Sequence, residues 1–154
     1  MSSVAIAIES PLQDDVRALL AAEDALMNSL YSPDDNHLLD ANDLAHPSIV
    51  FFVARQQNAA VGCGALVRCA GYGEVKRMFV DALVRGQGIG RLLLESIVRA
   101  AESETIPYLR LETGIYQPEA IGLYRALGLY DIAPFGGYAD SEVSLFMEKR
   151  LARN

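Results

Sequence analysis

The chain has 154 residues, with 13 lysines and arginines against 20 aspartates and glutamates and a formal net charge of −7. That length fits one domain over 1–154 with no second independent core, and the acidic balance argues against a nucleic-acid partner. A composition of 51% hydrophobic and 21% charged residues is that of a globular chain, and the longest apolar runs, such as 49–54, have strand length rather than bilayer length, so no membrane span is expected.

The opening Met1-Ser2-Ser3-Val4-Ala5-Ile6 lacks a basic stretch and reaches Glu9 quickly, which does not read as a secretory signal; the expected location is the cytoplasm. Val4, Ile6 and Ile8 alternate with alanines before the break at Ser10-Pro11, predicting a first strand. From 12 to about 30, Leu12, Val16, Leu19, Leu20 and Leu26 recur near helical spacing, with Asp14 and Asp15 at the positive end of the predicted amphipathic helix. Residues 31–47 read as a loop with one short helical piece. His37 and His46 fall there with no nucleophile signature nearby and are assigned no catalytic role.

Three strand-like runs follow at 49–55, 61–69 and 74–80, with connections short enough for hairpins, so an antiparallel meander is expected. Cys63 and Cys69 match neither Cys-x-x-Cys nor a zinc spacing; buried reduced thiols are the simpler reading and no metal is expected. After Gly90, Leu92, Leu93, Ile97, Val98 and Ala101 form an apolar stripe beside Arg91, Glu95, Arg99 and Glu102, predicting a helix over 88–103. Then come a strand at 107–112, a helix at 119–127 ended by Gly128, and a last strand at 142–149. A right-handed crossover over 74–112 makes its two strands parallel neighbours. The predicted fold class is α/β (α+β): a mixed, mostly antiparallel central sheet with helices on both faces and one parallel strand-helix-strand unit.

The segment Met78-Phe79-Val80-Asp81-Ala82-Leu83-Val84-Arg85-Gly86-Gln87-Gly88-Ile89-Gly90-Arg91 runs from a strand through a loop into a helix. Each glycine costs a helix about 1 kcal/mol relative to alanine, so three at a helix entrance imply a close backbone approach. The free N–H groups and positive helix end there favour an anion. No Gly-Lys-Ser or Gly-Lys-Thr follows, which excludes a P-loop. Gly86-x-Gly88-x-Gly90 also differs from the dinucleotide fingerprint, although a nucleotide-binding oxidoreductase stays as an alternative.

Arg85-Gly86-Gln87-Gly88-Ile89-Gly90 resembles the Arg/Gln-x-x-Gly-x-Gly/Ala signature of the GNAT superfamily of acyl-coenzyme A-dependent N-acetyltransferases. Downstream, Gln117-Pro118-Glu119-Ala120-Ile121-Gly122-Leu123-Tyr124-Arg125-Ala126-Leu127-Gly128-Leu129 is similar to that family's Asn-x-x-Ala-x-x-x-Tyr-x-x-x-Gly-Phe pattern, with Gln117 and Leu129 as departures. The resemblance covers roughly 4–151, since the order of elements agrees as well.

The resemblance implies acetyl-CoA as co-substrate, its pyrophosphate wrapped by backbone N–H groups of Arg85, Gly86, Gln87, Gly88, Ile89 and Gly90, with Arg85 and Arg91 adding charge. It gives Met78, Phe79 and Val80 a backbone role toward pantetheine and the acetyl carbonyl, places Gln117 and Ala120 beside the cofactor, and makes Tyr124 the acid that protonates the departing thiolate. A core-edge tyrosine is the competing reading of Tyr124. The amine must be neutral to attack, so a base or water chain is needed; Glu74 leads, sharing a strand face with Lys76 and Met78 by alternation, or Lys76 simply pairs with it. Glu112 is the second candidate. Tyr31, Phe135 and Tyr138 are expected to line an acceptor pocket or to cap the core, with Gly136-Gly137 loosening the later loop.

The expected reaction is transfer of acetyl to a primary amine of a small molecule or peptide by direct attack in a ternary complex, with both cysteines dispensable and a homodimer as the family-level expectation. A non-catalytic acyl-CoA-binding or sensory module is the alternative.

Overall fold

A computed structural model of the chain describes residues 3–152. Its strands are β1 (Val4–Ile8), β2 (Ile49–Gln56), β3 (Ala59–Cys69), β4 (Tyr72–Val80), β5 (Tyr108–Gly114), β6 (Tyr130–Ile132) and β7 (Ser144–Arg150). Its α-helices are α1 (Asp14–Leu30), the one-turn α2 (Ala41–Leu44), α3 (Ile89–Ser103) and α4 (Pro118–Ala126). The strands form one sheet in the order β1-β2-β3-β4-β5-β7-β6, antiparallel at every step except β4 to β5. The mixed α/β fold expected from the sequence is the one found, with α3 as the crossover between the parallel strands.

Strand β2 is apolar at successive positions because both of its faces are covered. Phe51 and Val53 pack with Val16, Leu19 and Leu20 of α1, while Val50, Phe52 and Ala54 pack with Leu93, Leu94, Ile97 and Ala101 of α3. Leu93 is fully buried, so Leu93→Ala would cost about 2–5 kcal/mol. The stripe on α3 is rotated from the sequence reading. Leu94 is buried in place of Leu92, which is 40% exposed, because Leu94, Ile97 and Ala101 follow three- and four-residue steps and Leu92 lies off that line.

Strand β6 was not expected. Three residues are too few to show a period; Gly128, at φ +93, ends α4 and reverses the chain, and Tyr130, Asp131 and Ile132 then pair with Glu148, Met147 and Phe146 of β7.

Two irregularities in β4 shape the molecule. Between Cys63↔Phe79 and Ala65↔Lys76 the register slips, so that Gly64 faces both Arg77 and Met78. Arg77 takes φ +57, a left-handed conformation that costs a non-glycine residue about 1–2 kcal/mol. The extra residue resets the alternation: Lys76 stands opposite Ala65 and Arg77 reaches α1, whereas Met78 packs on the α3 side. Met78 therefore does not share a face with Glu74 and Lys76, contrary to simple alternation. Gly64 makes the crossing possible, since a β-carbon there would lie 2.6 Å from Met78 Sδ. The second irregularity is the parallel ladder, which pairs Gly73 with Leu109 and Glu74 with Arg110 and then stops.

Candidate active site

Where the β4–β5 ladder stops, a cleft opens between the strands. Lys76 and Met78 line it from β4, Glu112 from β5, Tyr124 from α4 and Gln117 from just before it, and Glu23 from α1 and Tyr31 from just after it. Past Glu74, β4 has no ladder partner on its β5 side among the described residues, and backbone groups of a buried strand need one. The backbone of Met78, Phe79 and Val80 lies in this stretch; Val80 O accepts from Arg85 Nε at 3.2 Å.

At the end of β4 the glycine loop enters α3. Gly86 (φ +84) and Gly88 (φ +80) are both left-handed, and nothing lies within 4 Å of where their side chains would stand. Glycine is demanded here by conformation, and the space beside it is open. Gly88 caps α3 without any side-chain hydrogen bond, and the first bond of the helix runs from Leu92 N to Gly88 O at 3.1 Å. The amides of Ile89, Gly90 and Arg91 are thus left for an anion. Ile89 contributes backbone only, its side chain being buried in the core. Gly90 is glycine for closeness, because a β-carbon would stand 3.2 Å from Leu123 Cδ2 on α4. Gln87 accepts a bond from Gln56 Nε2 at 3.0 Å. Arg85 is exposed over the Phe79 ring at 5.8 Å, and Arg91 faces solvent 3.7 Å from Glu95. The open β4 edge, the helix-start amides and the glycine loop with open space beside it together fit a long ligand with an anionic end, as acetyl-CoA is.

Tyr124 is 6% exposed and shares the α4 face of Ala120 against the core. Burial, then the nearby Glu23 and Glu112 charges, pushes its phenol well above the usual range, so the hydroxyl keeps its proton at any physiological pH. Gln117 caps α4, and its Oε1 accepts from Tyr31 Oη and from Gly114 N, both at 3.3 Å.

Glu74 is buried beneath the loop before β7 and does not line the cleft. Its Oε2 accepts from the Tyr138 hydroxyl and lies 3.5 Å from Lys76 Nζ, which itself donates to Tyr138 Oη. Lys76 also donates to His37 O at 3.4 Å, so Glu74 and Lys76 anchor two loops to β4. Phe135 is buried among Tyr72, Tyr138 and Phe146 at 5.3–5.9 Å between ring centres and props Tyr138 rather than lining the cleft. Glu112 does line it; burial raises its proton affinity, opposed by a hydrogen bond with Ser144 and by His37 and Lys76.

Two cleft residues escaped the sequence reading. Glu23, 4% exposed, binds Arg77 Nη1 through Oε1 at 2.8 Å, while the same Nη1 serves Asp24 Oδ1 at 2.7 Å. Burial pushes the Glu23 carboxyl up to about 7, against the pull of Arg77. A signal existed: Val16, Leu19, Leu20, Glu23 and Met27 are the buried positions of α1, so an acid sits in the apolar stripe. Arg77 had none, since a bulge leaves no mark in an alternating run.

The acetyltransferase (GNAT) domain pattern matches residues 47–128, more than half of the chain. The chain belongs to the GNAT family. It is 50% identical over 153 residues to the "IAA acetyltransferase" of Azospirillum brasilense, covering 98% of this chain and 100% of that one. It is 33% identical over 129 residues to the uncharacterized N-acetyltransferase YsnE of Bacillus subtilis (strain 168), covering 81% and 85%. Among solved structures, a Klebsiella pneumoniae chain described as an acyl-CoA N-acyltransferase is 35% identical with TM-score 0.81 over 97% and 98%. The PaiA N-acetyltransferase of Thermoplasma acidophilum, solved with coenzyme A, has the same fold at 15% identity, TM-score 0.73 over 96% and 99%. The GNAT assignment also disposes of the dinucleotide alternative, which needs a doubly wound parallel sheet where the described residues have a single parallel pair.

Proposed function

We propose that this GNAT chain transfers acetyl from acetyl-CoA to a primary amine of a small molecule or peptide, by direct attack in a ternary complex in the cytoplasm. The observation that carries this reading is a cleft beside the open β4 edge that the buried phenol of Tyr124 lines, with the glycine loop following at the end of the same strand. The coenzyme A held by the Thermoplasma fold neighbour supports the choice of cofactor. The name of the Azospirillum relative supports acetyl transfer.

Acetyl-CoA supplies an activated acetyl thioester. The amides of Ile89, Gly90 and Arg91 would hold its pyrophosphate and the free edge of Met78–Val80 its pantetheine arm, with Gln117 at the arm's far side. As the amine forms its bond to the acetyl carbon and the carbon–sulfur bond breaks, Tyr124 gives its proton to the sulfur. General-acid help of this kind contributes about two to four orders of magnitude. Cys63 Sγ donates to Arg77 O at 3.2 Å, and burial holds its thiol well above the usual range, so no cysteine nucleophile is invoked.

Calorimetric titration with acetyl-CoA, and with NADH for comparison, tests the cofactor assignment: saturable one-site binding of acetyl-CoA alone is expected. Release of free thiol is then followed across a panel of primary amines. Binding with no turnover on any amine would replace this reading with that of an acyl-CoA-binding module.

A further inference from the structure

The geometry points to Glu23 as the catalytic base that takes the proton the acceptor amine must shed before it attacks. This rests on the acetyltransferase reading above.

Glu23 projects from the buried face of α1 into the cleft that Tyr124 lines from α4, so a carboxylate and a phenol face one cavity from opposite elements. Only Oε1 is engaged, by Arg77; Oε2 accepts no hydrogen bond among the described residues and is left for a ligand in the cleft. Arg77 is placed by the bulge, at φ +57, with its side chain buried and its Nε unpartnered among the described residues. A strained residue with an unsatisfied buried donor costs stability twice over, and such costs gather where a side chain must be held for chemistry.

The charges around Glu23 set its strength as a base. Arg77 on β4 is shared with Asp24, so Glu23 receives only part of one cation. Cys63 on β3 and Tyr124 on α4 stay protonated, and Glu112 and Lys76 lie across the cleft. The proton affinity of about 7 that results suits a base working near neutral pH, ionised often enough to accept and basic enough to pull. Glu74, by contrast, spends Oε2 on Tyr138 and Lys76 outside the cleft.

In the step itself, an ammonium group gives one proton to Glu23 Oε2. The neutral amine forms its bond to the acetyl carbon, the carbon–sulfur bond breaks, and the sulfur takes the Tyr124 proton. The nitrogen's second proton returns to the phenolate, and Glu23 releases its own to solvent. One amide, one thiol and one solvent proton result, with no redox partner.

The test compares kcat/KM against pH for wild type, Glu23→Gln, Glu74→Gln and Glu112→Gln, using the amine with highest turnover in the panel. Wild type should level off above about pH 7. Glu23→Gln should instead keep rising about tenfold per pH unit toward the amine's own pKa, and fall at least about 100-fold at pH 7.5, with acetyl-CoA affinity within about twofold. Should Glu23→Gln not fold, Glu23→Gln with Arg77→Met removes both buried charges together and must show the same rising profile. A Glu23 variant that keeps the plateau, or a plateau erased only by Glu74→Gln or Glu112→Gln, overturns the assignment of Glu23. Wild type that binds acetyl-CoA and acetylates nothing overturns the acetyltransferase reading, and Glu23 with it.

Discussion

The Tyr31 ring occupies the space that a side chain on Gly114 would need: a β-carbon built on Gly114 falls inside it. From there Tyr31 Oη donates to Gln117 Oε1 at 3.3 Å and accepts from Tyr116 N at 3.1 Å, pinning the end of α1 to the turn between β5 and α4. Gly114→Ala must push the ring aside and break both bonds, each contributing about 0.5–1.5 kcal/mol. The expected loss is about 1–3 kcal/mol by urea denaturation. Tyr31→Phe, which keeps the ring in place, loses the same two bonds and should also cost about 1–3 kcal/mol.

Tyr124→Phe removes one oxygen and leaves the packing intact. If the phenol protonates the leaving sulfur, turnover should fall about 100-fold or more while acetyl-CoA affinity by calorimetry stays as it was. Unchanged turnover would return Tyr124 to a purely structural role.

Gly88→Ala meets no obstacle in space and is resisted only by φ +80, a strain of about 1–2 kcal/mol. Relief of that strain would turn the α3 amides away from the pyrophosphate, so acetyl-CoA affinity should drop at least about tenfold, which is about 1.4 kcal/mol. Gly71, at φ +83 with equally open surroundings in the β3–β4 turn, is the control: Gly71→Ala should cost similar stability and leave affinity alone.

Tyr138 ties its loop to Glu74 and Lys76. Tyr138→Phe removes the tie without emptying the aromatic cluster, and should raise the acceptor KM several-fold while acetyl-CoA affinity is unchanged. Equal loss toward both substrates in steady-state kinetics would show that the loop serves the whole fold instead.

Glu23 gives stability a distinctive pH dependence. Folding raises its pKa from 4.5 to about 7 through burial, so the native chain holds this proton more tightly than the unfolded one. Its contribution is full below about pH 4.5 and is lost as pH rises through about 7, with a ceiling of about 3 kcal/mol. Glu23→Gln, a mimic of the protonated form, should therefore gain on wild type between pH 5 and pH 8 in urea midpoints. Taking the difference between the two proteins removes the opposite trend from Glu9 and Glu104, held low by Arg55 and Arg68. A difference that does not change with pH would refute the raised pKa.

Strong local periods made most of the fold readable. The meander, the crossover helix and the glycine loop each carry their signal within a few residues, and the structure puts them at β2–β4, α3 and its N-terminus. What was illegible depends on partners distant in sequence. Strand β6 exists because β7 offers it a ladder, and Phe135 is buried because Tyr72 of β4, Phe146 of β7 and Tyr138 of the loop before β7 converge on it. In the cleft, Tyr124 and Gln117 were found by motif. Arg77 was hidden by an assumption of even alternation, and Glu23 was passed over although it interrupts an apolar stripe.

The bulge has a meaning for chain length. Without Arg77, Lys76 would be followed directly by Met78, and the run Lys76, Met78, Phe79, Val80 would alternate evenly across the sheet, each side chain keeping the face it has now. Such a strand would match β3 residue for residue and lose the local bend that a bulge imposes. One inserted residue thus separates a β4 that matches β3 throughout from one that does not, and it is a difference in number rather than in kind: no substitution at position 77 would restore the regular strand, whereas its removal would.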